Sequence, residues 1–193
     1  MWSRTKKLLA GSGLAAALLA SGAAHANLVT NGGFETGDFN GWSTTLDALY
    51  DGVDVIAPHD GTYAAFFGGA NSSISQNLAT VAGANYVLSF WLMVESDVTG
   101  VAASNSFGLD FGGATVMSMT DAAASGYTRY DVAFVASGAS TNLTFNFSQG
   151  PAFFDLDSVN VTLPEPGSIA LLAAAGLGGF LASRRRKPAS TTA

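Results

Sequence analysis

Cysteine is absent from all 193 residues, which excludes disulfides, thiolate metal sites and a cysteine nucleophile together. Packing, with or without a hard cation, is left to stabilise whatever folds. Positive charge is nearly missing from the middle of the chain. Between residues 27 and 163, Arg129 is the only Lys or Arg, set against thirteen acids, a net of −12. Such a surface repels a phosphate backbone, so nucleic acid is excluded as a partner. Histidine is equally scarce: beyond residue 26 there is only His59, in Pro58-His59-Asp60-Gly61, the composition of a solvated β-turn. A Ser-His-Asp arrangement would have to use it, and no Gly-x-Ser-x-Gly elbow is present. The acids show no spacing that singles out a glycosidase pair. The chain therefore reads as a non-enzyme.

Long apolar runs occur only at the two ends, where the remaining cations also sit. Residues 4–7 carry Arg4, Lys6 and Lys7, residues 8–20 are apolar, and Ala24-His25-Ala26 supplies small side chains at the first and third positions before a cut. That is the layout of a signal peptide over 1–26, removed by signal peptidase. Residues 167–183 form an uncharged, mostly apolar run of 17, about 26 Å long as a helix and at the low end of what spans a bilayer. The basic cluster that follows, Arg184, Arg185, Arg186 and Lys187, is held on the cytoplasmic side, so residues 27–163 face outward.

Just before the span, Leu163-Pro164-Glu165-Pro166 forbids helix and sheet and leaves an extended, protease-accessible stretch. The triplet Pro164-Glu165-Pro166, the short Gly- and Leu-rich span and Arg184-Arg185-Arg186, in that order, resemble the PEP-CTERM sorting region of Gram-negative, exopolysaccharide-producing bacteria. The resemblance covers residues 164–193 and implies recognition by an exosortase in the inner membrane, cutting near the triplet, and release to the cell surface or extracellular matrix. A permanent single-span anchor is served equally by the composition.

The intervening 27–163 reads as one all-β domain. Residues 141–148 alternate strictly, Leu143, Phe145 and Phe147 against Asn142, Thr144, Asn146 and Ser148. Residues 86–94 are apolar on both parities, as in a central strand covered on both faces. Further strands are expected at 53–56, 63–67, 72–78, 106–111, 115–119, 130–135 and 152–163, separated by Gly-rich turns, with a small-residue loop at 122–126. The spacing is that of a β-sandwich or jelly roll. In the last strand the apolar parity switches at Asp157-Ser158, which predicts a β-bulge.

The opening Asn31-Gly32-Gly33-Phe34-Glu35-Thr36-Gly37-Asp38-Phe39-Asn40-Gly41-Trp42 resembles the start of galactose-binding-like jelly rolls, a group with many carbohydrate-binding modules. Phe154-Asp155-Leu156-Asp157-Ser158-Val159 resembles the aromatic-x-Asp-Asp-Val signature that closes them. The resemblance implies adjacent first and last strands and a structural calcium ion on Glu35 and Asp157, its shell filled by turn carbonyls. Ser158 stands where the family often has a second carboxylate, and Asp38 and Asp155 are weaker candidates. The alternative is that Glu35 and Asp157 accept backbone amides at the strand ends.

A sugar site needs an exposed aromatic face with polar neighbours. Trp42 and Trp91 both read as core residues, Trp42 from the resembled motif and Trp91 from the most apolar strand. Tyr50, Tyr63 and Tyr127 lie beside turns. Three functions follow in order: an exported module that binds exopolysaccharide, a structural matrix component without a sugar site, and last a secreted hydrolase.

Overall fold

The computed structural model describes residues 26–96, 104–150 and 152–163. Apart from Ala26, the expected signal peptide lies outside the described residues, as does the whole sorting region at 164–193. Among the described residues no helix is long and apolar enough to cross a membrane.

Ten strands build two five-stranded sheets. The first sheet holds β1 (Ser43–Thr45), β4 (Ser72–Ala79), β9 (Ser140–Gln149), β6 (Asn105–Phe111) and β7 (Ala114–Thr120), in that order. The second holds β2 (Asp51–Asp54), β3 (Ala64–Phe67), β10 (Phe154–Thr162), β5 (Asn85–Val94) and β8 (Ser125–Val135). Every pairing is antiparallel. All connections except β2–β3 and β6–β7 pass from one sheet to the other, the winding of a jelly roll.

Alternation explains the layering. On β9, Leu143, Phe145 and Phe147 point inward, while on the paired β4 Ile74 and Leu78 do the same. Phe67 of the second sheet stacks on Phe147 of the first with centroids 3.9 Å apart and planes 3° from parallel. Phe111 meets Phe134 across the layers at the same separation. Each such buried ring contributes roughly 1.5–3 kcal/mol of hydrophobic stabilisation, which makes this aromatic layer the bond between the sheets.

The opening segment runs along β10 without forming a strand of its own. Leu28 N–H donates to the Val161 carbonyl at 2.9 Å and Val159 N–H to the Gly32 carbonyl at 2.8 Å. A Cβ at Gly32 would strike the Val159 carbonyl, so only glycine permits this approach. The expected bulge is present: the β10–β5 register shifts between Asp157 and Asn160, and Ser158 takes φ of 53°. Val159 and Val161 are thereby returned to the core.

One strand was not expected, the strand expected at 53–56 lies at Asp51–Asp54, and the reading of 86–94 changes. Strand β1 carries no apolar alternation, since Ser43, Thr44 and Thr45 are all exposed, and pairing with β4 alone creates it. The 86–94 segment is interior to its sheet, but only its even residues enter the core. Ser89, Trp91 and Met93 lie half-buried on the outer face, where residues 55–63 fold back over part of the sheet.

Candidate functional site

The outer face of the second sheet gathers most of the chemically distinctive side chains. Opposite one another across β10, β5 and β8 stand Asp157, Trp91 and Arg129, and across β3, β10 and β5 stand Phe66, Asp155 and Met93. The 55–63 loop closes over this face and is held by four attachments. Asp157 Oδ2 accepts the N–H groups of His59 and Asp60 at 2.9 and 3.0 Å. Glu35 accepts Thr62 N–H at 2.9 Å and Tyr63 N–H at 3.0 Å. The Tyr127 hydroxyl donates to the Ala57 carbonyl at 2.7 Å. The His59 ring lies on Trp91, with the Tyr127 ring set edgewise to it at 5.2 Å.

Glu35 and Asp157 thus converge on one loop, as the adjacency of opening and closing segments predicts. Both flank Gly33, whose Cβ would lie 3.7 Å from Glu35 Cγ and 3.8 Å from Asp157 Oδ1. In this arrangement they accept backbone amides, Ser158 N–H also donating to Asp157 Oδ1. Burial pushes the Asp157 carboxyl up from its ordinary range, while the N–H groups of Asp60, Ser158 and His59 pull it back. Among the described residues no three His, Cys, Asp or Glu side chains gather closely enough to hold a metal. A calcium ion here would have two carboxylates and would draw its other oxygens from turn carbonyls, a donor mixture that suits it. Asp38 stands apart, its carboxylate taken by Thr36 Oγ1 at 2.6 Å and Asn40 N–H at 3.0 Å, which lower its pKa.

Trp42 is a core residue as expected, buried and stacked with Phe34, its indole N–H donating to the Asn31 carbonyl at 3.2 Å. Trp91 is not. It borders an open groove of about 470 Å³ together with Ser89, Arg129, Asn160, Ser158 and Asn27. Asn160 has a buried side-chain carbonyl oxygen with no hydrogen-bond partner. Arg129 is exposed and pairs with Asp131 at 2.9 Å, an exposed pair that contributes little to stability and leaves the guanidinium available. Sequence parity could not place Trp91, because its strand is apolar on both parities; Leu88, Phe90 and Leu92 fill the core and leave Trp91 on the outer face. His59 is more than a solvated turn: its backbone is tied to Asp157 and its ring to Trp91.

The outer face of the first sheet differs. Its groove of about 350 Å³ is bordered by Asn71, Ser73, Ser106, Gly108, Ser118 and Asn146, a hydroxyl- and amide-rich surface.

Among curated proteins none matches the sequence. Similar solved structures include a family 61 carbohydrate-binding module in complex with β-1,4-galactotriose (TM-score 0.55, 18% identity, 72% of this chain and 99% of that one). The xylan-binding domain CBM22-1 of Paenibacillus barcinonensis Xyn10C is similar over 73% of this chain and 96% of its own (TM-score 0.50, 17% identity). The enzymatically active domain of a tailspike protein of bacteriophage CBA120 is similar over 72% of this chain and 21% of its own (TM-score 0.55, 13% identity). At these identities the likeness establishes the sandwich fold. Residues 26–163 match the family model described as "Carbohydrate binding domain", more than half of the chain, and the protein belongs to that family.

Proposed function

We propose that the protein is a noncatalytic polysaccharide-binding module, exported by its signal peptide and passed by an exosortase to the surface or matrix of a Gram-negative cell. The observation that carries the binding reading is the groove beside Trp91. A half-buried indole bordered by Arg129, Ser89, Asn160 and Asn27 combines an apolar edge for a pyranose with donors and acceptors for its hydroxyls. The unpartnered Asn160 oxygen is an acceptor that a sugar hydroxyl would satisfy. The β-1,4-galactotriose and xylan named for two of the similar structures make β-1,4-galactan oligosaccharides and xylan the first ligands to try. The noncatalytic part rests on His59, whose ring is stacked on Trp91. Export and processing rest on the two terminal segments and the Pro164-Glu165-Pro166 triplet.

The test is a polysaccharide pull-down with the purified protein and its Trp91→Ala variant. Retention of the parent chain and loss of the variant is the expected result; equal retention of both removes the groove from the reading. Export is tested separately by a reporter fused after Leu163, which is expected to be active outside the cytoplasm. A purely structural matrix role is the second reading, favoured by the aromatic-poor polar face of the first sheet, and it predicts no retention on any glycan.

A further inference from the structure

On the far side of the 55–63 loop from the groove, the same outer face contains a second hollow, of about 300 Å³. Its lining joins three carboxylates from three places in the chain, Asp54 at the end of β2, Glu95 just after β5 and Asp155 on β10, with the rings of Phe66 and Phe153 and the side chain of Ile56. Phe66 lies over Gly52, where any side chain would collide with the ring, and meets Phe153 edge to face at 5.8 Å.

The other buried carboxylates among the described residues are satisfied. Asp51, 9% exposed, accepts Gly68 N–H, Gly69 N–H, Asp47 N–H and the Ser72 hydroxyl. Asp157 accepts three backbone amides. Asp155 is 5% exposed, and no donor among the described residues reaches its Oδ2; its side chain instead hydrogen-bonds the neighbouring Glu95 carboxyl, which requires one of the two to be protonated. Nor is its charge balanced: Arg129 is the only Lys or Arg among the described residues, and it pairs with Asp131. A buried carboxylate oxygen without a donor costs on the order of 1–3 kcal/mol, so a donor from outside the chain has a free-energy gap to close. In its absence burial, then the neighbouring Glu95 and Asp54 carboxylates and a hydrogen bond with Glu95, push Asp155 up to about 8, while Glu95 is raised by burial and by Asp54 and pulled back by its hydrogen bond with Asp155.

The walls choose the donor. A bare divalent ion bound by side chains wants several of them converging, and among the described residues no three His, Cys, Asp or Glu side chains gather closely enough to hold one. Aromatic rings beside the carboxylates suit an organic ammonium, which donates up to three hydrogen bonds and is attracted to ring faces, while the attached carbon skeleton covers the apolar wall. The volume is at the low end for ligand pockets, room for one sugar unit.

We propose that the hollow between Asp54, Glu95 and Asp155, walled by Phe66 and Phe153, binds the ammonium group of an unacetylated hexosamine unit in a polysaccharide. This rests on the polysaccharide-binding reading and names a sugar class for it. The loop that separates the hollow from the Trp91 groove leaves both on one face of the sheet.

Calorimetric titration of the purified full-length protein at about pH 6, where the amine is protonated, tests the assignment with three hexasaccharides: β-1,4-glucosamine, its N-acetylated counterpart and neutral xylohexaose. The glucosamine hexamer is expected to bind, and Asp155→Asn and Glu95→Gln are each expected to weaken it about tenfold or more, as loss of a charge-assisted hydrogen bond does, while each variant still unfolds cooperatively in urea. The N-acetylated hexamer is expected to be insensitive to both variants. Equal binding of the amine and acetylated forms, or indifference of the amine form to both variants, overturns the proposal. So does calcium or manganese binding that Asp155→Asn abolishes, or Nα-acetyl-lysine amide binding as tightly as the hexamer, which assigns the hollow to a metal or a protein side chain. Should xylohexaose bind the parent and variants alike without any amine preference, this proposal fails and the polysaccharide reading stands; if no sugar binds, both fail.

Discussion

The imidazole of His59 lies on the indole of Trp91, ring centroids 3.9 Å apart and planes 19° from parallel. A turn histidine thereby covers part of the indole, which also borders the groove formed with Arg129, Ser89 and Asn160.

Removal of the ring partner is expected to act on binding more than on folding. Trp91→Ala should reduce polysaccharide affinity about tenfold, the scale of one aromatic contact with its buried area. His59→Ala should reduce it less while changing the tryptophan fluorescence, because the indole face becomes solvated. Affinity electrophoresis on xylan and on galactan, with emission spectra of the same samples, measures both.

Loss of the loop anchors is expected to cost stability in proportion to burial. Asp157→Ala strands the His59 and Asp60 amides and the Ser158 amide beneath the loop, a penalty of roughly 2–3 kcal/mol. Asp157→Asn keeps one oxygen acceptor and should recover part of it. Glu35 is exposed, so Glu35→Ala should cost about 1 kcal/mol. Urea unfolding of the three variants gives the order.

Calcium binding at the Glu35–Asp157 junction would stabilise the native state by mass action, about 2.7 kcal/mol at a hundredfold excess over Kd. A rise in melting temperature with calcium, its reversal by chelator and its loss in Glu35→Gln are the expected results. A melting temperature that ignores calcium leaves both carboxylates as amide acceptors alone.

Acid should stabilise the hollow, the reverse of the usual carboxylate behaviour. Asp155 is raised to about 8 when folded and titrates near 4 when unfolded, so between these values the native state binds the extra proton. Stability contributed by this group is complete below about pH 4 and declines through neutrality to about pH 8, at up to about 1.4 kcal/mol per pH unit. Glu95, Asp54, Asp157 and Tyr127 share the surroundings; Glu95 and Asp157 add to the trend, and Tyr127, raised by burial and these acids, stays protonated. Asp155→Asn should flatten the profile, read by urea midpoints between pH 5 and 8.

Much of the architecture was legible along the chain because strands announce themselves by period two. Thr141 to Ser148 alternated and became β9; the parity switch at Asp157-Ser158 became a bulge with Ser158 at positive φ. The closeness of Glu35 to Asp157 followed from a motif at each end. Trp91 was misread as core because an all-apolar strand has no parity to read, and β1 went unseen because three exposed polar residues show no pattern. The hollow had one faint signal, an acid at Asp155 between the apolar Phe154 and Leu156 of the closing strand.

Composition and alternation by themselves determined that the body of this protein is a cysteine-free, acidic β-sandwich, since burying one side of each strand is a local requirement that residue order must satisfy. Which outer face holds chemistry was decided by tertiary structure alone. Asp54, Glu95 and Asp155 are remote in sequence and meet only when β2, β5 and β10 lie in one sheet, and Trp91 borders a groove only because β5, β8, β10 and the opening segment lie side by side. Contacts between distant segments carry no periodic imprint, so they exist only once the sheets have formed.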